Sequence, residues 1–171
     1  PPGTVCDQCG RFLAPGFVGL LAPHRRRDAR GGIAGRTGYV TKGHLARAVL
    51  EATGWQTREV VDAMNADSGI DLTSLKVDGG MTANNLLMQF LADVLGVPVV
   101  RPNVAETVSL GVAYAAGLAV GFWPDMESLR AHWHKAAEWL HNMETGERER
   151  GYRKWKKTVQ RTLDWVDDDD D

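Results

Sequence analysis

The chain is poor in cysteine: two residues in 171, Cys6 and Cys9, stand as a lone C-x-x-C near the start. A disulfide framework is excluded, and one such pair without a second is a weak zinc signal, so two reduced thiols in a loose segment are the plainer reading. The charge balance has little of either sign in excess, with 20 basic against 22 acidic residues and a formal charge of -2. Nothing in that balance calls for nucleic acid or an anionic membrane surface, which leaves a small molecule or a protein as the expected partner. Long apolar runs are also missing: stretches such as residues 112–120 fall short of the ~20 residues that span a bilayer, and no charged-then-apolar leader opens the sequence. A cytoplasmic location is expected. Both of the common phosphate-binding glycine patterns, G-x-x-x-x-G-K and G-x-G-x-x-G, are absent around the most informative turn of the chain.

What remains is ample for a core, since 43% of the residues are apolar. Residues 1–11 show neither helical nor strand period and open on two prolines, so they read as a loose N-terminal segment. Residues 11–40 place glycines among short apolar groups, the pattern of strands and tight turns. The period then changes. Leu45, Ala48, Val49, Ala52, Val60, Ala63 and Met64 recur at helical spacing over residues 42–66, and Gly69 suits a left-handed cap. A short strand around Leu75 and Val77 runs into Asp78-Gly79-Gly80, and a helix over residues 84–95 follows with Leu86, Leu87, Phe90, Leu91 and Val94 as its apolar positions. Gly96 ends that helix, residues 97–100 read as a buried strand interrupted by Pro98, and residues 106–120 as a helix of small residues suited to close packing. The last stretch holds five of the six tryptophans, a charged helix over about 147–165 with one apolar stripe that is expected to fold back on the core, and a self-repelling acidic run at 167–171. Strands alternating with helices predict an α/β layer architecture.

The spacing that points to chemistry is D-G-G-x-x-x-N, Asp78 to Asn84, between a strand and a helix. Two glycines let a ligand come against bare backbone, where a β-carbon would hold it off. The N–H groups at the helix start face the same space, and the Asn84 amide can both donate and accept, which suits an adenine edge or its ribose. By spacing alone such a pair of glycines at a strand end is more often just a turn. Asp78 and Asp93 are candidate catalytic groups, but Asp78 sits at a strand end beside glycines and Asp93 on a helix with no carboxylate partner at useful spacing, so structural roles suit both.

The wider sequence around this turn adds a resemblance. LKVDGGMTANNLLMQFLADVLGVPVVRPNVAETVSLGVAYAAGLAVGFW, residues 75–123, resembles the adenosine-binding part of glycerol kinases, in the FGGY family of carbohydrate kinases. Upstream, Gly31, Ile33 and Gly35, with His44, Leu45, Ala48, Val49, Leu50 and Glu51, resemble the second signature of that family, and residues 50–69 resemble glycerol kinases rather than sister enzymes such as xylulose kinases. The segment YRKWKK, residues 152–157, is similar to their C-terminal helix, so the resemblance covers about residues 12–167. It departs before Tyr39: His24-Arg25 replaces an aromatic pair, Arg36 takes an apolar position, and Gly38 stands where arginine is usual. A charge at a buried apolar position would cost several kcal/mol, so Arg36 is expected to reach water or the packing to have changed.

The resemblance implies a ribonuclease H-like fold of the actin and hexokinase type, with a mixed sheet flanked by helices and a small-residue helix packed beneath the site. It implies a nucleotide-binding domain over residues 12–166, incomplete at its N-terminal edge, between a loose start and an acidic tail. ATP or ADP would be the bound nucleotide, with Gly80 and Asn84 in contact with it and Gly79 and Asp78 shaping the turn. Magnesium would be held mainly by the phosphates and by residues outside this chain. In glycerol kinases the phosphate loops, the catalytic aspartate and the glycerol-binding residues come earlier than this sequence begins. Glycerol would be reached only through that part, and the chain by itself is expected to be inactive. A remnant that only binds nucleotide or a partner, or a fragment of another FGGY sugar kinase, is the alternative, and homo-oligomers are an expected form because a domain taken from a larger enzyme exposes an interface.

Overall fold

The computed structural model describes residues 10–104 and 106–166; Cys6, Cys9 and the run 167–171 lie outside the described residues. The chain forms two compact units, one from residues up to Asp71 together with Met143 onward, the other from Leu72 to Asn142.

In the first unit, strands β1 (Phe12–Ala14) and β2 (Gly32–Ala34) pair antiparallel, with Phe12 opposite Ala34. Helix α1 (Lys42–Ser68) and the last helix, labelled α5 below (Thr145–Gln160), pack on this ribbon. The helical period read from residues 42–66 is borne out. Thr41 is its N-cap and donates its N–H to His44 Nδ1 at 3.1 Å, and Gly69 closes it at φ 68, with its N–H on the Asn65 carbonyl. The two helices meet through rings: Trp55 stacks on Tyr152 at 6.1 Å, and the Arg58 guanidinium sits 3.9 Å over the Tyr152 ring and 2.6 Å from Glu149. Gly151 makes that approach possible, because a β-carbon there would lie 2.8 Å from the Trp55 ring. Trp155 is fully buried in this core beside Val159.

Helix α5 ends at Gln160, earlier than the period suggested. The reason is a competing set of hydrogen bonds: the N–H of Asp164 goes to the Asp28 carboxylate at 2.6 Å, and those of Trp165 and Val166 go to the Asp28 carbonyl. Asp28 is the hub of this corner, accepting two bonds of 2.7 Å from Arg26, which also reaches Asp164. Arg26 first, and the Asp164 N–H second, hold the Asp28 carboxyl well below the usual carboxylate range. A depressed carboxyl stabilises the fold above its unfolded pKa of about 3.9, and that contribution is lost as pH falls through the lower folded value. Asp28→Asn is therefore expected to flatten the pH dependence of the denaturation midpoint below about pH 4, read by chemical denaturation at a series of acidic pH values.

The departures from the family pattern resolve in two ways. Arg36 is exposed, so its charge reaches water. His24 is half-buried and brings Nε2 to 3.1 Å from Oε1 of the buried Glu59, while its exposed neighbour Arg25 takes a positive φ of 51.

In the second unit, β3 (Leu75–Lys76) pairs parallel with β4 (Val99–Pro102), and β4 pairs antiparallel with β5 (Lys135–Trp139), giving a mixed sheet in the order β3-β4-β5. Helix α2 (Asn85–Leu95) connects the parallel pair. Its apolar positions Leu87, Met88, Leu91 and Ala92 bury against Val99, with Leu75, Val77 and Trp139 packed around them. Each such side chain contributes about 1.5–3 kcal/mol on burial. Helix α3 (Thr107–Ala119) and the short α4 (Met126–Arg130) complete the unit. Both α4 and β5 escaped the sequence reading. Residues 126–130 are too few to show a period, and Lys135–Trp139 has only exposed or half-exposed positions, so no apolar alternation marks it.

Candidate nucleotide-binding turn

β3 delivers the chain to Asp78, and from there every step of the turn is fixed by a hydrogen bond. Gly79 takes φ 86, a left-handed value that favours glycine. Gly80 opens a single 3-10 turn, Gly80–Ala83. Buried Thr82 closes that turn by giving both its N–H (3.1 Å) and its hydroxyl (2.7 Å) to the Gly79 carbonyl. The Thr82 carbonyl accepts in turn from Arg101 Nη1 at 2.7 Å, and the Arg101 guanidinium lies 5.2 Å over the Trp139 ring. The turn thus rests on a side chain of β4 braced by one of β5. Neither Thr82 nor Arg101 was found by sequence reasoning, and no spacing signals them, because their partners are main-chain carbonyls.

Asn84 was expected inside the helix; it is the residue before it. Its Oδ1 accepts the Leu87 N–H at 3.1 Å as an N-cap, and its carbonyl takes the Met88 N–H. The expectation that this amide both donates and accepts at a ligand is therefore narrowed, since one lone pair of the oxygen is used by the helix and the Nδ2 donor points the chemistry. Asn84 is exposed, as is Gly80. Geometry leaves the N–H groups of Asn85 and Leu86 at the same helix start without carbonyls one turn earlier.

The two glycines differ in kind. Gly79 is required by its backbone. Gly80 has no positive φ, and a β-carbon added to it would meet no atom of the described residues within 4 Å. Among the described residues nothing crowds that position. Asp78, weighed as a catalytic group, instead accepts the Thr107 hydroxyl from the first turn of α3. Asp93 accepts from Gln89 Nε2 at 3.1 Å and from the Asn142 N–H at 2.7 Å. Both carboxylates serve the fold.

One implication of the resemblance needs correcting. α3 was expected to pack beneath the site through its small side chains. Its first residue bonds to Asp78, and along its length Gly117 alone is buried, held against Trp123, while Val108 and Val112 are 79% and 67% exposed. Glu106 precedes it without a side-chain capping bond, and Thr107 spends its hydroxyl on Asp78 rather than on a local cap.

Comparison with known proteins places this architecture. Residues 3–120 match the C-terminal domain of the FGGY family of carbohydrate kinases. The chain belongs to that family. Within it, the chain is a homologue of glycerol kinases: it is 65% identical over 166 residues to the glycerol kinase of Clavibacter michiganensis subsp. michiganensis, and 62% identical over 164 residues to that of Roseiflexus sp.. These matches cover 97% and 96% of this chain but 33% of each relative, so the chain spans a third of their length. The crystal structure of Plasmodium falciparum glycerol kinase with ADP superposes with a TM-score of 0.84 at 37% identity, over 92% of this chain and 32% of that one. A xylulose kinase from Rhodospirillum rubrum shares the fold at 26% identity and a TM-score of 0.70. The mixed α/β architecture is that of the FGGY kinases. Among the described residues no helix is long and apolar enough to cross a membrane.

The Asn84 reading separates two roles. Asn84→Asp keeps the capping oxygen and loses the Nδ2 donor, whereas Asn84→Ala loses both. We expect Asn84→Ala to cost about 1 kcal/mol of stability and Asn84→Asp close to none, while both weaken ADP binding; thermal melts and a titration on each variant distinguish them.

Proposed function

We propose that this chain supplies the nucleotide-binding part of an ATP:glycerol phosphotransferase, with the adenosine of ATP or ADP lying against Gly79, Gly80 and Asn84. The observation that carries the reading is Gly80: an exposed glycine without a positive φ and with open space at its missing β-carbon among the described residues, beside the exposed Asn84 amide. Glycine there serves whatever lies outside the protein surface. The ADP named with the P. falciparum glycerol kinase structure, and the glycerol named in the relatives, support the choice of nucleotide and acceptor.

The chain's share of the work is binding and orientation. Backbone at Gly79 and Gly80 forms a flat wall for the nucleoside, the Asn84 Nδ2 donates to an acceptor on base or ribose, and the turn is kept from moving by Thr82 and Arg101. Such positioning lowers a barrier by fixing the reactants before transfer. Magnesium in such sites takes one or two carboxylates together with the nucleotide's phosphates, and among the described residues no group of three or more His, Cys, Asp or Glu is gathered for an ion. The metal of the kinase reaction belongs with the nucleotide's phosphates and residues outside this chain, as do the base and the glycerol contacts, since Asp78 and Asp93 are both taken.

Two assays on the chain test this. Calorimetric titration is expected to show one ADP bound per chain, and a glycerol phosphorylation assay is expected to show no turnover. Absence of ADP binding overturns the nucleotide reading; turnover overturns the placement of the catalytic groups elsewhere.

A further inference from the structure

The charge of this chain is nearly balanced as a whole but not along its length. Residues 148–161 hold seven of the 20 basic residues and a single carboxylate, Glu149. That carboxylate is engaged elsewhere, 2.6 Å from Arg58 on α1. Arg150, Arg153, Lys154 and Lys157 of α5, and Arg161 just beyond its end, are all exposed. They recur at i, i+3, i+4, i+7 and i+11, which sets them in one line down the solvent side of the helix. None of the five forms an ion pair among the described residues. Their neighbours differ: Arg148 reaches the Thr145 hydroxyl, and the Lys156 ammonium lies 4.6 Å over the Tyr152 ring. Like charges one turn apart destabilise a helix, so the line is a cost to α5 that an answering anion removes.

The shape of the line selects the anion. The apolar side of α5, with Tyr152, Trp155 and Val159, is buried in the core, so the helix has nothing left to insert into a bilayer and no exposed ring to stack on bases. The line is one side chain wide and about 16 Å long at 1.5 Å per residue, the form that a single acidic segment fits. The sequence carries such a segment in the five consecutive aspartates at 167–171, which lie outside the described residues. Val166, whose N–H donates to the Asp28 carbonyl, stands five residues after Arg161 and five before Asp171. An extended segment reaches ~3.3–3.6 Å per residue, so the run is long enough to return to Arg161 whatever path the link between them takes. We infer that the basic line on α5 is a docking surface for the acidic run 167–171 of the same chain. The contact is made by carboxylates against exposed cations, and salt screens it. The nucleotide turn has no part in it, so ADP binding and this contact succeed or fail separately.

Two isotopically labelled forms test it, the full chain and one ending at Val166. Raising sodium chloride from ~10 mM to ~1 M cuts the screening length from ~30 to ~3 Å. That change is expected to move the Arg153, Lys154 and Lys157 amide shifts at least about threefold further in the full chain than in the shortened one, and equal movement overturns the inference. Penta-aspartate peptide added at low salt is expected to bind the shortened chain at least about tenfold more tightly, because in the full chain the tethered run competes at high effective concentration. Equal affinity for the two forms overturns occupation by the run. Lys154→Gln together with Lys157→Gln in the shortened chain is expected to weaken the peptide by at least about fivefold with the thermal melt unchanged, as both positions are exposed. Binding that survives this change overturns the placement on α5. Sedimentation that shows a dimer of the full chain, lost in the form ending at Val166, gives the line to the run of a second copy and overturns the choice of occupant.

Discussion

Gly80→Val is expected to weaken ADP binding by at least about tenfold, or ~1.4 kcal/mol, while leaving the thermal melt of the chain within experimental error. Both halves follow from one fact, the open space at the Gly80 β-position. A β-carbon meets no atom of the described residues within 4 Å there, and the residue's φ is not in the left-handed region that favours glycine. The side chain instead stands where the nucleoside would lie. Gly79 gives the opposite result. Its φ of 86 makes Gly79→Ala strained whatever the space around it, so about 1 kcal/mol or more of stability is lost. A pair of adjacent glycines that separates so cleanly, one in melting and one in calorimetry, would mark the first as structural and the second as ligand-facing. Loss of stability in Gly80→Val would contradict that division.

Trp155→Ala is expected to have the largest effect on folding, about 3–5 kcal/mol. Trp155 is fully buried on α5, the helix that packs on the β1-β2 ribbon, and it shares its surroundings with Val159 and Tyr152. Against a typical total stability of ~5–15 kcal/mol, this is enough to unfold a marginal unit. The same ring carries a liability, because its Nε1 is buried without an acceptor among the described residues. Trp155→Phe removes that desolvated donor along with part of the ring, so its loss is expected to be about 1–3 kcal/mol smaller. Guanidinium titrations followed by fluorescence of the remaining tryptophans measure both.

The parts of this fold that were legible in the sequence are those set by local rules. The period over residues 42–66 gave α1, and Gly69 and Gly96 act as the left-handed caps their positions suggested. The D-G-G-x-x-x-N spacing marked the turn, and the long resemblance around it gave the family. What stayed hidden depends on partners far away in sequence. α5 stops early because Asp28, more than 130 residues away, claims the amides that would have continued it. The turn is held by Arg101 through a carbonyl, and any residue at 82 presents a carbonyl. Asn84 read as a helix residue because capping and helical positions differ by one step, and only the bond to the Leu87 N–H tells them apart. α3 read as a packing helix because its composition is that of one, yet Val108 and Val112 stand exposed and Gly117 alone of its residues is buried.

The most direct test of the nucleotide reading is an ADP titration of the isotopically labelled chain followed by amide chemical shifts. The predicted result is saturable shifts largest at Gly79, Gly80, Asn84 and Asn85, with the Asn84 side-chain amide moving alongside them. Saturable shifts centred elsewhere, or none at the turn, would contradict it.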